Sequence, residues 1–330
     1  MTVTIYDVAE KAGVSIATVS RVINEHPSVK NETKKKVFEV IHRLNYQYNS
    51  AAATLATGKT NTVALITPNN SNPFYSEVAE GIYQEALNKG INVFTYNMPL
   101  DQDKDIPFLN QRLVDGILAM DISIHQVEKL RNQVSNLVLI GNDMLDGKTN
   151  CVITDNFAGI QLAMNHLVQS GHKKIAFISE PPNYNDIKAR IRAYQALMFE
   201  HECSKYCEVL IAEGSGIKDG EKMAANLIKS GIKNTAYVVS NDMIAIGLKK
   251  SLKATGLQIP ADISIIGFDG SWISTVVEPP LTTVKQPMHE LGEAGLSLLL
   301  DIIKQEHSSP RKIVLNPSFQ LGGTTKKLNI

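Results

Sequence analysis

The chain has little cysteine, a single tryptophan, no net charge and no long apolar run. Its three cysteines, Cys151, Cys203 and Cys207, are too few for a disulfide framework and point to a reducing compartment. No uninterrupted apolar stretch reaches the roughly 20 residues that span a bilayer, and none follows a basic start as a secretion signal does. A cytoplasmic protein without a membrane partner is therefore expected. Lys plus Arg balance Asp plus Glu at 33 each, which excludes a chain-wide attraction for nucleic acid or another charged surface. The patterns GxGxxG, GxxxxGK and GxSxG are missing, as is any paired set of metal ligands, so nothing argues for an enzyme, a cofactor or a metal. The run "HECSKYC" gathers His201, Cys203 and Cys207, but without a second pair of ligands it reads as a helix end and the turn after it.

What is present is organised. With 43% hydrophobic and 20% charged residues, the 330-residue chain reads as folded, and it is long enough for two or three domains. The charge balance is local. Residues 1–60 hold 8 basic and 5 acidic residues, a difference of +3, which leaves 25 basic and 28 acidic, or −3, for the remainder. A mildly basic N-terminal module on a mildly acidic body suits a local contact with nucleic acid.

Residues 1–46 predict three short helices. Thr4 is a good N-cap, and Asp7 stands where it returns a bond to the Thr4 backbone. Ile5, Val8, Ala9 and Ala12 form one apolar face, and Gly13 ends the helix. Ser15 caps a second helix with Val19, Val22 and Ile23 inside. A third carries Val37, Val40, Ile41 and Leu44, with Asn45 at its C-terminal turn. Helix-turn-helix spacing puts the start of the second helix against base edges. Ile16 and Ala17 suit a thymine methyl, and Arg21 suits guanine O6 and N7. Tyr6, Ser15, Thr18, Ser20 and Asn24 are donors suited to phosphates. A plain helical hairpin with a solvated face fits the same spacing.

Residues 47–61, "QYNSAAATLATGKTN", are small, polar and nearly uncharged, which marks a linker. The stretch "SAAATLAT" favours helix but is too short to hold one alone. From residue 62 the chain alternates short apolar strands ("TVALIT", "INVFTY", "DGILAM", "NLVLIG", "CVIT", "KKIAFIS", "EVLIA", "TAYVVS", "ISIIGF") with helical stretches at 74–89, 157–170, 188–202, 243–255 and 288–304. That alternation predicts parallel sheets covered on both faces, and the length fits two of them, dividing near residues 154–157. "LTTVKQP" is expected to cross back before the last helix.

Ligands of open parallel sheets sit beyond the carboxyl ends of strands. "PNNSNPFYS" offers Phe74 and Tyr75 there, "SEPPNYNDIKAR" leads to Arg190, "SNDM" offers Asn241 and "GFDG" offers Asp269. Aromatic faces with Arg, Asn and Asp suit a polyhydroxylated or planar polar ligand. Each residue also has an ordinary structural use; the set is what points to a site.

The stretch "TIYDVAEKAGVSIATVSRVIN", with "AAATLA", "NPFYSEVAEGI", "VDGILAM", "TDNFAG", "SNDMIAIG", "PADISIIGFDG" and "PLTTVKQP" in order, resembles the LacI/GalR family of bacterial transcription regulators along the whole chain. The resemblance implies an all-α helix-turn-helix headpiece (1–46), a hinge helix (47–61) and an α/β core of two doubly wound lobes similar to periplasmic binding proteins (62–330). It implies a dimeric repressor that binds a palindromic DNA operator under control of a sugar or sugar derivative. Ile16, Ala17 and Arg21 match the base-reading positions, and "SIATVSR" is similar to the catabolite control protein branch. The DNA set is then Thr4, Tyr6, Ser15, Ile16, Ala17, Thr18, Ser20, Arg21, Asn24 and Leu55, the last matching a leucine that wedges into the minor groove. Phe74, Tyr75, Arg190, Asn241 and Asp269 match effector positions, and Asp155 of "TDNFAG" matches a residue near the cleft. Tyr48 stands where the family has Pro, Ala53 where it has a basic residue, and Ser215 near a common aromatic. Ser297 stands where the catabolite control branch has Arg, which argues against that branch's phosphorylated carrier protein as a partner. The tail lacks a heptad repeat, so a dimer is expected rather than a tetramer. A transporter's solute-binding protein would share the core but not the headpiece.

Overall fold

The computed structural model describes residues 3–23, 27–46, 59–68, 72–98, 113–305 and 309–328. It divides into two compact units, Met1–Thr60 and Asn61–Ile330.

The first unit contains α1 (Ile5–Ala12), α2 (Ile16–Ile23) and α3 (Asn31–Leu44). Asp7 Oδ2 accepts from the Thr4 backbone N–H and from the Thr4 hydroxyl, both at 2.7 Å, so the expected return bond forms. Those bonds hold the Asp7 carboxyl below its ordinary value. Gly13 at φ 62° and Asn45 at φ 48° turn the chain out of α1 and α3 in the left-handed region. The Ser15 hydroxyl accepts from the Thr18 N–H at 3.2 Å and caps α2. Val8, Ala9, Ala12, Val19, Val22, Val37 and Val40 form the small core, with Ile5, Ile23, Ile41 and Leu44 packed at its edge.

The second unit contains two lobes. In the first, β1 (Thr62–Pro68), β2 (Asn92–Met98), β3 (Gly116–Met120), β4 (Leu137–Ile140), β5 (Asn150–Thr154) and β11 (Lys312–Leu315) form one parallel sheet in the order β11-β5-β4-β3-β1-β2. In the second, β6 (Ile175–Ser179), β7 (Glu208–Ile211), β8 (Ala236–Val239), β9 (Ser264–Asp269), β10 (Thr282–Lys285) and β12 (Ser318–Gln320) follow the order β12-β10-β9-β8-β6-β7, with only β12 antiparallel. All nine strand candidates form. The apolar runs of the central strands β1, β3, β4, β6, β8 and β9 are buried because helices cover both sides, whereas the edge strands β2 and β7 stay partly open, with Phe94 and Ile211 each 47% exposed.

The first lobe is clad by α4 (Pro73–Lys89), α5 (Ile124–Gln133) and α11 (Met288–Ile303). The second is clad by α6 (Asn156–Gln169), α7 (Asn185–Glu200), α8 (Ile217–Ser230) and α9 (Asp242–Ala254), with the short α10 (Ile273–Val276) near the cleft. The chain passes between the lobes after β5, after β10 and after β11. "LTTVKQP" was expected only to cross; its Thr282, Thr283 and Val284 are buried and pair with β9, so the crossing itself falls at Gln286 and Pro287. "HECSKYC" ends α7 and forms a 3-10 turn at Ser204–Tyr206, with Cys203 buried and Cys207 exposed. Among the described residues, no helix is long and apolar enough to cross a membrane.

Candidate functional site

Two surfaces collect the singled-out residues, one in each unit. On the headpiece, burying Val19 and Val22 turns the opposite side of α2 outward. Ser15, Ile16, Ala17 and Arg21 are exposed there, and Thr18 and Ser20 are half-buried. Thr4 and Tyr6 are exposed on and before α1, Tyr6 at 68%. The Ser15 and Thr18 hydroxyls also bond each other at 2.9 Å, which orders both at the helix start. Asn24 and Leu55, with Tyr48 and Ala53, lie outside the described residues.

The second surface is the cleft between the lobes. Both sheets have the doubly wound order in which the first strand lies between the second and third, so each has a switch point between its first and third strands. The cleft is lined from the carboxyl ends of those strands: Asn72, Phe74 and Tyr75 after β1, Asp121 after β3, Gly141 after β4, Glu180 after β6, Asn241 after β8 and Asp269 ending β9. Tyr184, Asp186, Ile187, Arg190, Ser215 and Gln286 complete the wall. Phe74, Tyr75, Arg190, Asn241 and Asp269 thus come together. Asp155 does not join them. It caps α6, accepting from the Ala158 N–H at 2.9 Å, and lines a neighbouring cavity of about 350 Å³ that shares Gly141 and Asp186 with the cleft. The room left in the cleft for a water-sized sphere is about 30 Å³.

Direct bonds close the cleft. Asn72 Nδ2 in the first lobe donates to Asp269 Oδ2 in the second at 3.3 Å. Gln286 Nε2 donates to the other Asp269 oxygen at 2.9 Å, and Gln286 Oε1 accepts from the Thr154 hydroxyl at 2.6 Å. Two of the three lobe crossings are therefore tied to the cleft floor. The Trp272 N–H donates to Glu77 at 2.9 Å, and Asn185 Nδ2 to the Asp143 carbonyl at 2.7 Å, also lobe to lobe. Asp269 sits at φ 117°, a region that costs a non-glycine residue strain energy.

The cleft is acidic. Burial, and then the nearby Asp242 charge, push the Asp269 carboxyl up to about 8. Burial and the Asp186 charge push Asp121 up to about 7, against the Tyr75 hydroxyl that donates to it. Glu180 is pushed up to about 7 by burial, although the Arg190 charge and the Asn241 amide, which donates to Glu180 Oε1 at 3.0 Å, act the other way. Asp186 is raised by burial too. Asp121, Glu180, Asp186, Asn72 and Gln286 were not singled out from the sequence. Glu180 and Asp121 directly follow strands, and that position was the available signal.

Two family profiles match the chain: "Bacterial regulatory proteins, lacI family" over residues 4–49, and "Periplasmic binding protein-like domain" over residues 164–325. Catabolite control protein A of Priestia megaterium is 37% identical over 335 residues, covering 99% of this chain and all of that protein. The lac repressor dimer bound to operator and the anti-inducer ONPF superposes with a TM-score of 0.84 at 25% identity, over 99% of this chain and 100% of that one. A LacI family transcriptional regulator from Enterococcus faecium with bound ribose superposes with a TM-score of 0.72 at 27% identity, over 81% of this chain and 100% of that one.

Proposed function

This chain belongs to the LacI family of bacterial regulatory proteins, DNA-binding transcription regulators rather than enzymes, and on that premise we propose a cytoplasmic repressor that binds a palindromic operator as a homodimer under the control of a sugar or sugar derivative. Ile16, Ala17 and Arg21 read bases, Arg21 by a bidentate bond to guanine. Thr4, Tyr6, Ser15, Thr18, Ser20 and Asn24 hold phosphates and set the register. Leu55, in the hinge of residues 47–61, wedges into the minor groove at the dyad, where a flexible pyrimidine–purine step opens most cheaply.

The observation that carries control by a small molecule is the cleft. Side chains from both lobes meet there and bond across it, through Asn72 to Asp269 and through Gln286 to the crossing at Thr154. Ligand sites commonly need about 300–1,000 Å³. A sugar therefore has to move the lobes apart from this arrangement and exchange the Asn72–Asp269 bond for its own. The lobe crossings transmit that movement, and the equilibrium of the DNA-binding form shifts by the ligand's differential affinity for the two arrangements. Phe74, Tyr75, Arg190, Asn241 and Asp269 serve as contacts, with Asp155 beside them in the adjoining cavity. A phosphorylated carrier protein is not part of this reading. Ser297 stands where that branch has Arg, and its hydroxyl, which donates to Glu85 at 2.9 Å, supplies no charge for a phosphoryl group.

The test starts from a palindrome selected by the full chain from random duplexes. Leu55→Ala should weaken binding to it about tenfold or more while small-molecule binding, read by thermal shift, is unchanged. Equal operator affinity at matched salt would refute the wedge. A cleft ligand with no effect on operator affinity would refute control through the cleft.

A further inference from the structure

The cleft is poorly suited to an anion. Asp121, Glu180, Asp186 and Asp269 line it, and Arg190 is the one cation among its described lining residues. Arg190 is only 5% exposed and already engaged. Its Nε donates to Asn156 Oδ1 at 2.8 Å, one terminal nitrogen donates to the Ser240 carbonyl at 2.7 Å, and the other faces Asp186 at 3.4 Å. Its guanidinium lies 3.9 Å from the centre of the Phe268 ring. So placed, it offsets carboxylate charge within the wall and presents no fork to a phosphate or carboxylate.

The other polar groups lean the same way. Donors of Tyr75, Asn72, Gln286 and Asn241 go to Asp121, Asp269 and Glu180. The wall therefore offers a surplus of acceptors. One of them is unmatched, because Asp186 Oδ1 is buried without a hydrogen-bond partner. Buried acceptors are almost always satisfied, and an exception in a ligand cleft marks where a donor belongs. Burial lifts all three carboxyls of Asp121, Glu180 and Asp186; Asp121 feels the charges of Asp186 and Glu180, and Glu180 feels that of Asp186. An ammonium group among them relieves that repulsion and supplies the missing donor.

Resting on the reading of this cleft as the effector site, we propose that the effector is a polyhydroxylated small molecule carrying a protonated amine, of which an amino sugar is the simplest form. The amine sits among Glu180, Asp186 and Asp121. The hydroxyls meet Asn241 and Asp269, and Phe74 and Tyr75 give the apolar wall. A phosphorylated or carboxylated sugar would find no cation there among the described lining residues besides the engaged Arg190.

Calorimetric titration of the full chain decides this, with glucosamine, galactosamine and mannosamine set against their neutral parent hexoses, their N-acetyl forms and glucose 6-phosphate. At least one amine should bind about tenfold tighter than its neutral parent, and N-acetylation should abolish that preference. Glu180→Gln and Asp186→Asn should each remove most of the preference. Their unfolding temperatures should stay at or above that of the parent, because each removes a buried repulsive charge. A neutral or phosphorylated sugar that binds tighter than every amine overturns the inference, and so does the absence of amine binding up to about 10 mM. Operator titrations run alongside separate the two readings. A neutral sugar that shifts operator affinity removes the amine but keeps the effector site. A bound amine that leaves operator affinity unchanged removes the effector role itself.

Discussion

Asp269 concentrates what single residues contribute here. It ends β9 in a strained backbone conformation, holds Asn72 across the cleft and carries a carboxyl raised to about 8. Asp121, Glu180 and the fully buried Asp242 are raised to about 7. In the unfolded chain such groups release their protons near 4, so between about pH 4 and the raised values the folded chain holds more protons. The stability they contribute is full below that window and is lost as pH rises through about 7 to 8. His166 and His172, lowered by burial, slope the opposite way only up to their ordinary 6.5, and Lys249, lowered to about 8 by burial, only above that. The carboxyls therefore dominate between pH 6.5 and about 8. The thermal unfolding midpoint should fall across that interval, and Asp269→Asn should flatten the fall. A midpoint that holds or climbs would mean that these carboxyls ionise in the folded chain as ordinary ones do. Arg190 and Asn241 were legible as site candidates because they follow strands in a recognisable order. Asp186 was not: its weight comes from an unmatched oxygen, which only the assembled wall reveals.

Elements position the site through their ends and their contacts. Asn72, Asp155 and Asn241 are all N-caps, accepting from Phe74, Ala158 and Ile244. Asn72 and Asn241 also donate from the same amide to Asp269 and Glu180. Aspartate would cap equally well but supply no such donor, so asparagine is the residue that joins helix start to cleft at those two positions. The helices behind the cleft meet at glycines. A Cβ on Gly220 or Gly247 would fall on the backbone of the facing helix of the α8–α9 pair, as one on Gly81 or Gly292 would between α4 and α11. Gly247→Ala should therefore destabilise the core by about 1–3 kcal/mol, measured by denaturant unfolding. A smaller loss would show that α8 and α9 shift apart at little cost. Nine strands and five helices of the second unit, and the three helices of the first, were legible from apolar runs and helical periodicity. β10 was not recognised, because "TTVK" is short and only its partner β9 makes it a strand.

At the scale of the whole molecule, the near-zero charge acquires a reason. The basic surplus is confined to the first unit, and the acidic surplus belongs to a core whose cleft is itself acidic. In the proposed dimer two headpieces gain from effective concentration, so the full palindrome should bind about 100-fold tighter than a single half-site in anisotropy titrations at matched salt. Equal affinities would refute the dimeric reading. The sequence by itself determined the helical headpiece, the alternation of strands and helices, and the family, because periodicity, caps and motif order are local properties of the chain. Only the tertiary structure decided which strand ends face one another, that Asn72 and Asp269 bond between lobes, and that four carboxylates share a cleft with one engaged arginine. Those residues lie far apart along the chain, and their charge and burial have meaning only once the two sheets bring them together.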